Sequence, residues 1–145
     1  MNSINIGLLL LLAVIGNHMV YSCDIIVHVQ SNTTKKFQAQ VVAPNGKKSE
    51  KWQFSKPREK NTFQQKASEC GIKDWEITTF DGNKPVNTVK VSLNGIGRVT
   101  YTVGDDLKAV QSDRHGAMCS GQCAPLGTQP SSRSRSNSPV KSTDD

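Results

Sequence analysis

The chain has 145 residues, with 18 Lys or Arg against 12 Asp or Glu and a formal net charge of +6. This length fits one domain with short extensions. After the amino-terminal segment no stretch is apolar enough to cross a membrane, which excludes a polytopic membrane protein. The basic balance instead favours affinity for polyanions.

The amino-terminal segment predicts export. Its apolar run from Gly7 to Ile15 is shorter than the roughly 20 residues that span a bilayer. Val20 and Ser22 stand at the positions that a signal peptidase would read for a cut before Cys23. We therefore expect a signal peptide over 1–22, no transmembrane segment and a secreted, extracellular protein. A lipoprotein with an acylated Cys23 is the less favoured alternative.

The chain after Cys23 alternates between apolar and polar residues with a period of two, which is typical of half-buried strands. Ile25, Val27 and Val29 share one face of the first such segment, and His28 lies on the other face. Six more segments have the same pattern, and no helix is predicted. These six segments are 37–43, 51–55, 62–67, 75–79, 89–93 and 99–103.

Turn residues separate these segments. Pro44-Asn45-Gly46 and Asp81-Gly82-Asn83 are turn sequences with residues that accept positive φ. Asn94-Gly95 predicts a hairpin between the last two strands, and Gly97 suggests a longer turn or a bulge. The segment 104–126 is predicted to be irregular and held by cysteines.

This pattern predicts an all-β protein, a two-sheet antiparallel β-sandwich of the immunoglobulin-like or transthyretin-like kind with about seven strands. An open barrel is the alternative. The domain is expected to cover 23–126. The remaining residues, 127–145, form a Ser/Arg-rich tail with too little apolar surface to fold, so the tail is predicted to be disordered.

Four cysteines follow the predicted cut, and an even number in an exported chain predicts two disulfides. In an antiparallel sandwich the strand directions place Cys23 and Cys70 at the same end. This favours Cys23–Cys70, with Cys119–Cys123 as a local clasp, among three possible pairings. A metal or redox site is the alternative, but the Cys119–Cys123 spacing is unusual for either, so no metal and no cofactor are expected.

A basic run is the best candidate for a functional surface. Eight cations against Glu50 and Glu59 indicate affinity for a polyanion, and an exported protein meets sulfated glycans rather than nucleic acid. An ordinary solvated face is the simpler interpretation. If the second and third strands form a hairpin, the cations gather at its two ends. The predicted polyanion-binding residues are Lys35, Lys36, Lys47, Lys48, Lys51, Lys56, Arg58 and Lys60.

Asn32-Thr33-Thr34 is the one usable N-glycosylation sequon after the predicted cut, so Asn32 is a predicted glycan site. No arrangement of residues indicates catalysis. The loop carboxylates, such as Asp105 and Asp106, are the residues that turns prefer. We therefore expect no catalytic residues and no enzymatic activity.

Several motifs resemble those of small secreted nematode proteins similar to the 16-kilodalton secreted surface antigens of parasitic nematodes. The resemblance covers roughly residues 24–126 and implies extracellular release, one small β domain and no assigned enzymatic activity. The Ser/Arg tail is not part of it. The residues that carry the resemblance are Ala43–Ser49 (APNGKKS), Glu69-Cys70-Gly71, Trp75-Glu76-Ile77, Asn94–Val99 (NGIGRV) with Tyr101, Val103–Asp106 (VGDD), Cys119 and Gly121–Leu126 (GQCAPL).

The sequence thus predicts a secreted, non-enzymatic β-sandwich module that binds an extracellular protein or sulfated glycan through a basic face. Two alternatives remain open. One is a structural or surface-coat antigen without a specific ligand. The other is a small secreted hydrolase or inhibitor.

Overall fold

The computed structural model describes residues 23–67, 70 and 73–127. The predicted signal peptide and the predicted tail beyond Gly127 lie outside these residues. Nine strands and no helix form the described part of the chain. The strands are β1 (Cys23–Ser31), β2 (Phe37–Val42), β3 (Trp52–Phe54), β4 (Lys60–Ala67), β5 (Trp75–Asp81), β6 (Lys84–Asn94), β7 (Ile96–Val103), β8 (Ala109–His115) and β9 (Met118–Ser120).

These strands form two sheets that pack face to face, which confirms the predicted β-sandwich. One sheet has the order β4-β1-β7-β8 and the other β3-β2-β5-β6-β9. Among the described strands, only the β1–β7 pair is parallel. Two separate sheets rule out the open barrel for the described residues. An immunoglobulin domain has its first two strands in one sheet, whereas β1 and β2 lie in different sheets.

Alternating side chains from both sheets fill the core, as the period-two pattern predicts. In β1, Ile25, Val27 and Val29 are completely buried. Trp52 and Phe63 are half-buried and pack against the core. The largest fully buried side chains are Trp75, Tyr101, Phe54, Ile25, Ile77 and Leu93.

Tyr101 brings a polar group into this core. Its hydroxyl accepts a hydrogen bond of 3.1 Å from Gln111 Nε2, which is itself on a buried side chain. Burial raises the pKa of Tyr101 to about 12, and the hydrogen bond from Gln111 offsets only part of that rise. The phenol therefore stays protonated at physiological pH and serves as a core residue.

The hairpin predicted at Asn94-Gly95 is wrong. Gly95 does take a positive φ of 83°, but β6 and β7 on its two sides belong to different sheets. The chain crosses the sandwich here, and the Gly95 carbonyl accepts a 2.9 Å hydrogen bond from the Asp24 N–H at the start of β1. A local turn signal reports the φ values that the chain needs, but it does not say which sheet the next strand joins.

The segment after β7, predicted to be irregular, contains two more strands. β8 returns along β7, and β9 pairs with the last residues of β6. The prediction failed because β8 buries only Ala109 and Gln111, and a small residue and a polar residue give no hydrophobic alternation. The sandwich therefore has nine strands in the described residues instead of about seven.

Both predicted disulfides are present. Cys23 bonds to Cys70, and Cys119 bonds to Cys123. The strand directions behind the prediction are also confirmed, since β1 runs antiparallel to β4 and parallel to β7. Two disulfides are typical of a protein that folds in an oxidising, extracellular-type compartment. In the described residues no helix is long and apolar enough to cross a membrane.

Candidate functional site: the basic end of the sandwich

Three loops meet at the end of the sandwich where β1 finishes. The register places Ser31 beside Val103, Gln30 beside Lys60, and Phe37 beside Phe54. The β1–β2, β3–β4 and β7–β8 loops therefore share one end. We call the positive side chains collected there the basic end, which consists of Lys35, Lys36, Lys56, Arg58 and Lys60.

Backbone hydrogen bonds hold these loops against each other. Ser31 donates its N–H to the carbonyl oxygen of Glu59 at 2.8 Å, and its own carbonyl accepts the N–H of Arg58 at 2.8 Å. Asn32 donates to the carbonyl of Val103, also at 2.8 Å. Arg58 takes a positive φ of 70°, an unusual conformation for a residue with a side chain. The spacing of the cations is therefore set by β1 rather than by free loops.

A side-chain lock fixes the β1–β2 loop to the β7–β8 loop. Thr33 is buried and donates through Oγ1 to Asp105 Oδ1 at 2.6 Å. The same Oγ1 accepts the Lys35 N–H at 3.1 Å, and Lys35 Nζ donates to the Asp105 carbonyl oxygen at 2.7 Å. In the sequence, Thr33 stands in the middle of a sequon and Asp105 in a predicted turn. Nothing in the local sequence signals that the two residues meet.

The charges of the basic end are exposed and unneutralised within the described residues. The ion pairs of the described residues join Lys90 to Glu76 and His115 to Asp113, and neither pair includes a residue of the basic end. The nearby Glu59 accepts a hydrogen bond from the Ser55 hydroxyl at 3.1 Å. Glu59, Asp105 and Asp106 lie on the same loops, but none of them forms an ion pair with a cation of the basic end. The five cations outnumber these carboxylates, and the excess of positive charge produces a potential that attracts anions.

The structure does not gather all eight predicted cations. The antiparallel β2–β3 pair is present, as expected, and it separates them. Lys47 and Lys48 lie in the β2–β3 loop at the opposite end of the sandwich. Lys51 lies just before β3, with its Nζ 4.2 Å above the centre of the Phe80 ring. The candidate site is therefore the five-residue basic end alone.

Asn32, the predicted glycan site, lies in the β1–β2 loop and is exposed. Its side chain is thus accessible to modification, while its backbone N–H is bonded to β7. A glycan there would stand directly beside Lys35 and Lys36. Glycosylation and anion binding would then compete for the same end of the molecule.

His28 reports on the electrostatic potential near the basic end. It lies on β1, and its Nδ1 is 2.7 Å from Thr62 Oγ1. Burial lowers the pKa of His28 below 6.5, and the positive charges of Lys60 and Arg98 lower it further. Since the folded-state pKa is depressed, the neutral imidazole is the form compatible with folding. Its contribution to stability is present above about pH 6.5 and is lost as the pH falls through the folded pKa.

We predict that Lys60→Gln raises the pKa of His28 toward 6.5. The positive charges of Lys60 and Arg98 both oppose protonation of the imidazole, and this substitution removes the first of them. The imidazole proton shifts of His28 in NMR spectra recorded across a pH series measure this pKa. Lys47→Gln, at the opposite end, is the matched control and should leave the pKa unchanged. Equal pKa values in the wild type and Lys60→Gln would show that Lys60 does not act on His28.

The described residues were also compared with the metal-site alternative. No group of three or more His, Cys, Asp or Glu residues there is arranged to hold a metal ion. Both Asp105 and Asp106 bond within their own end of the molecule, Asp105 to Thr33 and Asp106 to the Lys108 N–H. In this structure these carboxylates stabilise the loops through hydrogen bonds.

Comparison with known proteins gives no match. No family model, no curated protein and no solved structure is significantly similar to this chain.

Proposed function

We propose that this chain is a secreted, non-enzymatic β-sandwich module that binds an extracellular polyanion, of the sulfated-glycan class, through its basic end. The observation that carries the proposal is the cluster of five exposed cations on loops fixed by backbone hydrogen bonds, with no ion pair to a described carboxylate. A loop whose backbone is already held loses little further freedom on binding, so cations on such loops favour association more than cations on free loops.

Secretion is part of the same proposal. The apolar segment that ends before Cys23 and the two disulfides both support it. The resemblance to secreted nematode surface antigens agrees with it and stays a prediction. Under this proposal the ligand is a linear polyanion of the extracellular space. A sulfated glycan fits this description better than nucleic acid, which an exported protein does not normally encounter.

Charge reversal tests the proposal. Lys36→Glu combined with Lys56→Glu should lower the salt concentration at which the protein leaves a heparin column. Each cation that contacts heparin releases counterions condensed on that polyanion, and the double variant loses two such cations. The dependence of log K on log salt should become shallower by about one for each lost contact. These two lysines are chosen because neither side chain makes a hydrogen bond within the described residues.

The control is Lys47→Glu combined with Lys48→Glu, which changes the net charge equally at the opposite end. It should elute close to the wild type. An equal decrease in the eluting salt concentration for the two double variants would show that only net charge matters. That result would refute the basic end as the binding site. Flow-through of the wild type near physiological salt would favour instead a surface-coat antigen without a specific ligand.

A further inference from the structure

On one long side of the sandwich, β6 of one sheet faces the edge strand β8 of the other sheet. The chain covers only half of the length of this side. At the end away from the basic end, β9 pairs with Ser92–Asn94 of β6. The segment after β9 then crosses to β8. The Ala124 N–H donates to Gln111 Oε1 at 2.7 Å, and Arg114 Nε donates to the Ala124 carbonyl at 2.9 Å. Beyond Ser120 the chain turns away at Gly121, and nothing described continues the strand.

The open half is a groove of about 490 Å³ between the two sheets. Asn87, Thr88 and Lys90 of β6 line one wall, and Lys108 and Val110 line the other. In the described residues β6 has a partner on this side only through β9, so its residues before Ser92 present a free edge. Such an edge offers unpaired N–H and C=O groups, to which a further strand can bond.

The backbone of β6 shows which groups face the groove. The Lys90 carbonyl oxygen lies 3.8 Å from the point where a Cβ on Gly121 would stand, so it points to the β9 side. Backbone groups in an antiparallel strand alternate in direction. The N–H and C=O of Thr88 therefore point the same way as those of Lys90, into the free edge.

Two further features fit a bound partner at this edge. Asn87 Oδ1 is enclosed and has no hydrogen-bond partner among the described residues, so it is an acceptor that lacks a donor. Val86, next to it on β6, and Val110 are exposed over 46% and 62% of their surfaces. Exposed aliphatic side chains beside an unpaired strand edge fit a partner with its own apolar side chains.

The charges of the groove select the chemistry of that partner. Lys90 and Lys108 line it. Lys90 pairs with Glu76 at 3.6 Å on the neighbouring strand, whereas Lys108 forms no ion pair within the described residues. A second copy of this chain, added edge to edge along β6, would bring another Lys90 toward the first and would carry the same net charge of +6. An acidic segment avoids both repulsions.

We propose that the free edge of β6 binds an extended acidic peptide segment, which adds as a strand in line with β9. Its backbone pairs with Thr88 and Lys90, and one of its donors reaches Asn87 Oδ1. Its acidic side chains face Lys90 and Lys108, and its aliphatic side chains contact Val110. The groove meets the basic end at the β7–β8 loop, which carries Lys108, but none of the five residues of the basic end lines the groove, so different variants test the two proposals.

A capped peptide of alternating valine and glutamate, about six residues long to match the free edge, is a suitable probe. Calorimetric titration into the full-length oxidised chain measures the affinity, and amide shifts identify the strand that is contacted. We expect binding with shifts at Thr88 and Lys90. The same peptide with N-methyl groups on the amides of one edge should bind about tenfold more weakly, because those donors are lost.

Variants locate the site without relying on one substitution. Lys108→Glu should weaken the peptide about tenfold, since an attraction becomes a repulsion. Asn87→Leu should also weaken it. Lys36→Glu, at the basic end, is the control and should bind the peptide as the wild type does.

Four results would overturn the proposal. Equal affinity of the N-methylated peptide would exclude strand pairing, and equal affinity of a valine–lysine peptide would exclude acidic selectivity. A dimer in sedimentation experiments that Val110→Asp dissociates would assign the groove to a second copy instead. A failure to bind the peptide at all would likewise refute the assignment, whatever the heparin result.

Discussion

Replacing both Cys23 and Cys70 with Ser is expected to lower the free energy of unfolding by about 4 kcal/mol in the chain-entropy model. The bond joins residues 47 positions apart, so its loss releases a long loop in the unfolded chain. It also fixes the start of β1, which lies between β4 and β7 in its sheet. Both cysteines are buried, at 0% and 1% exposure, so the serine hydroxyls would in addition be buried in an apolar site.

Urea unfolding under oxidising conditions measures this loss. The double variant Cys119→Ser with Cys123→Ser is the matched control, because it removes a disulfide that spans only 4 positions. The same model gives about 2 kcal/mol for it. Equal destabilisation of the two double variants would contradict the loop-length argument and would indicate that strain or local packing dominates.

The inward faces of the strands were predictable because burial on a pleated strand alternates with a period of two. Ile25, Val27, Val99 and Tyr101 are all inside, as their spacing predicts. Even Gln65, predicted on the inner face of β4, is buried with only 4% of its surface exposed. The pattern is local, and it requires no knowledge of which strand lies beside which.

The assignment of strands to sheets was not predictable from such a pattern. Asn94-Gly95 permits a hairpin and a crossover alike, and the long-range pairing of β1 with both β4 and β7 decides between them. The sequence did not predict β8, for a different reason. It is an edge strand beside β7 that buries Ala109 and Gln111, so it has too few large apolar residues to be recognised.

The candidate site was half predictable. The β2–β3 pairing could be inferred from turn residues, and it places Lys36 and Lys56 at the same end and Lys47 at the other. The lock between Thr33 and Asp105 joins residues 72 positions apart. The groove likewise depends on where β9 stops along β6. Both are products of tertiary packing, and no short stretch of sequence encodes them.

Gly97→Ala is expected to destabilise the protein by about 3 kcal/mol, the upper part of the range for overpacking a well-ordered site. Gly97 lies near the start of β7, where the backbone of the β8–β9 turn packs against its α-carbon. An added Cβ would overlap the His115 carbonyl oxygen and the Ala117 backbone nitrogen. Backbone atoms cannot rotate away as the end of a side chain can, so one of the two strands must shift.

Gly95→Ala is the matched control because it adds the same methyl group two residues earlier in the chain. Gly95 has open space around the position of a Cβ but a φ of 83°, so alanine there costs about 1 kcal/mol through backbone strain alone. Thermal and urea unfolding of the two variants measure the difference. If Gly95→Ala were the more destabilising of the two, conformational freedom at the crossover would matter more than close packing against the β8–β9 turn.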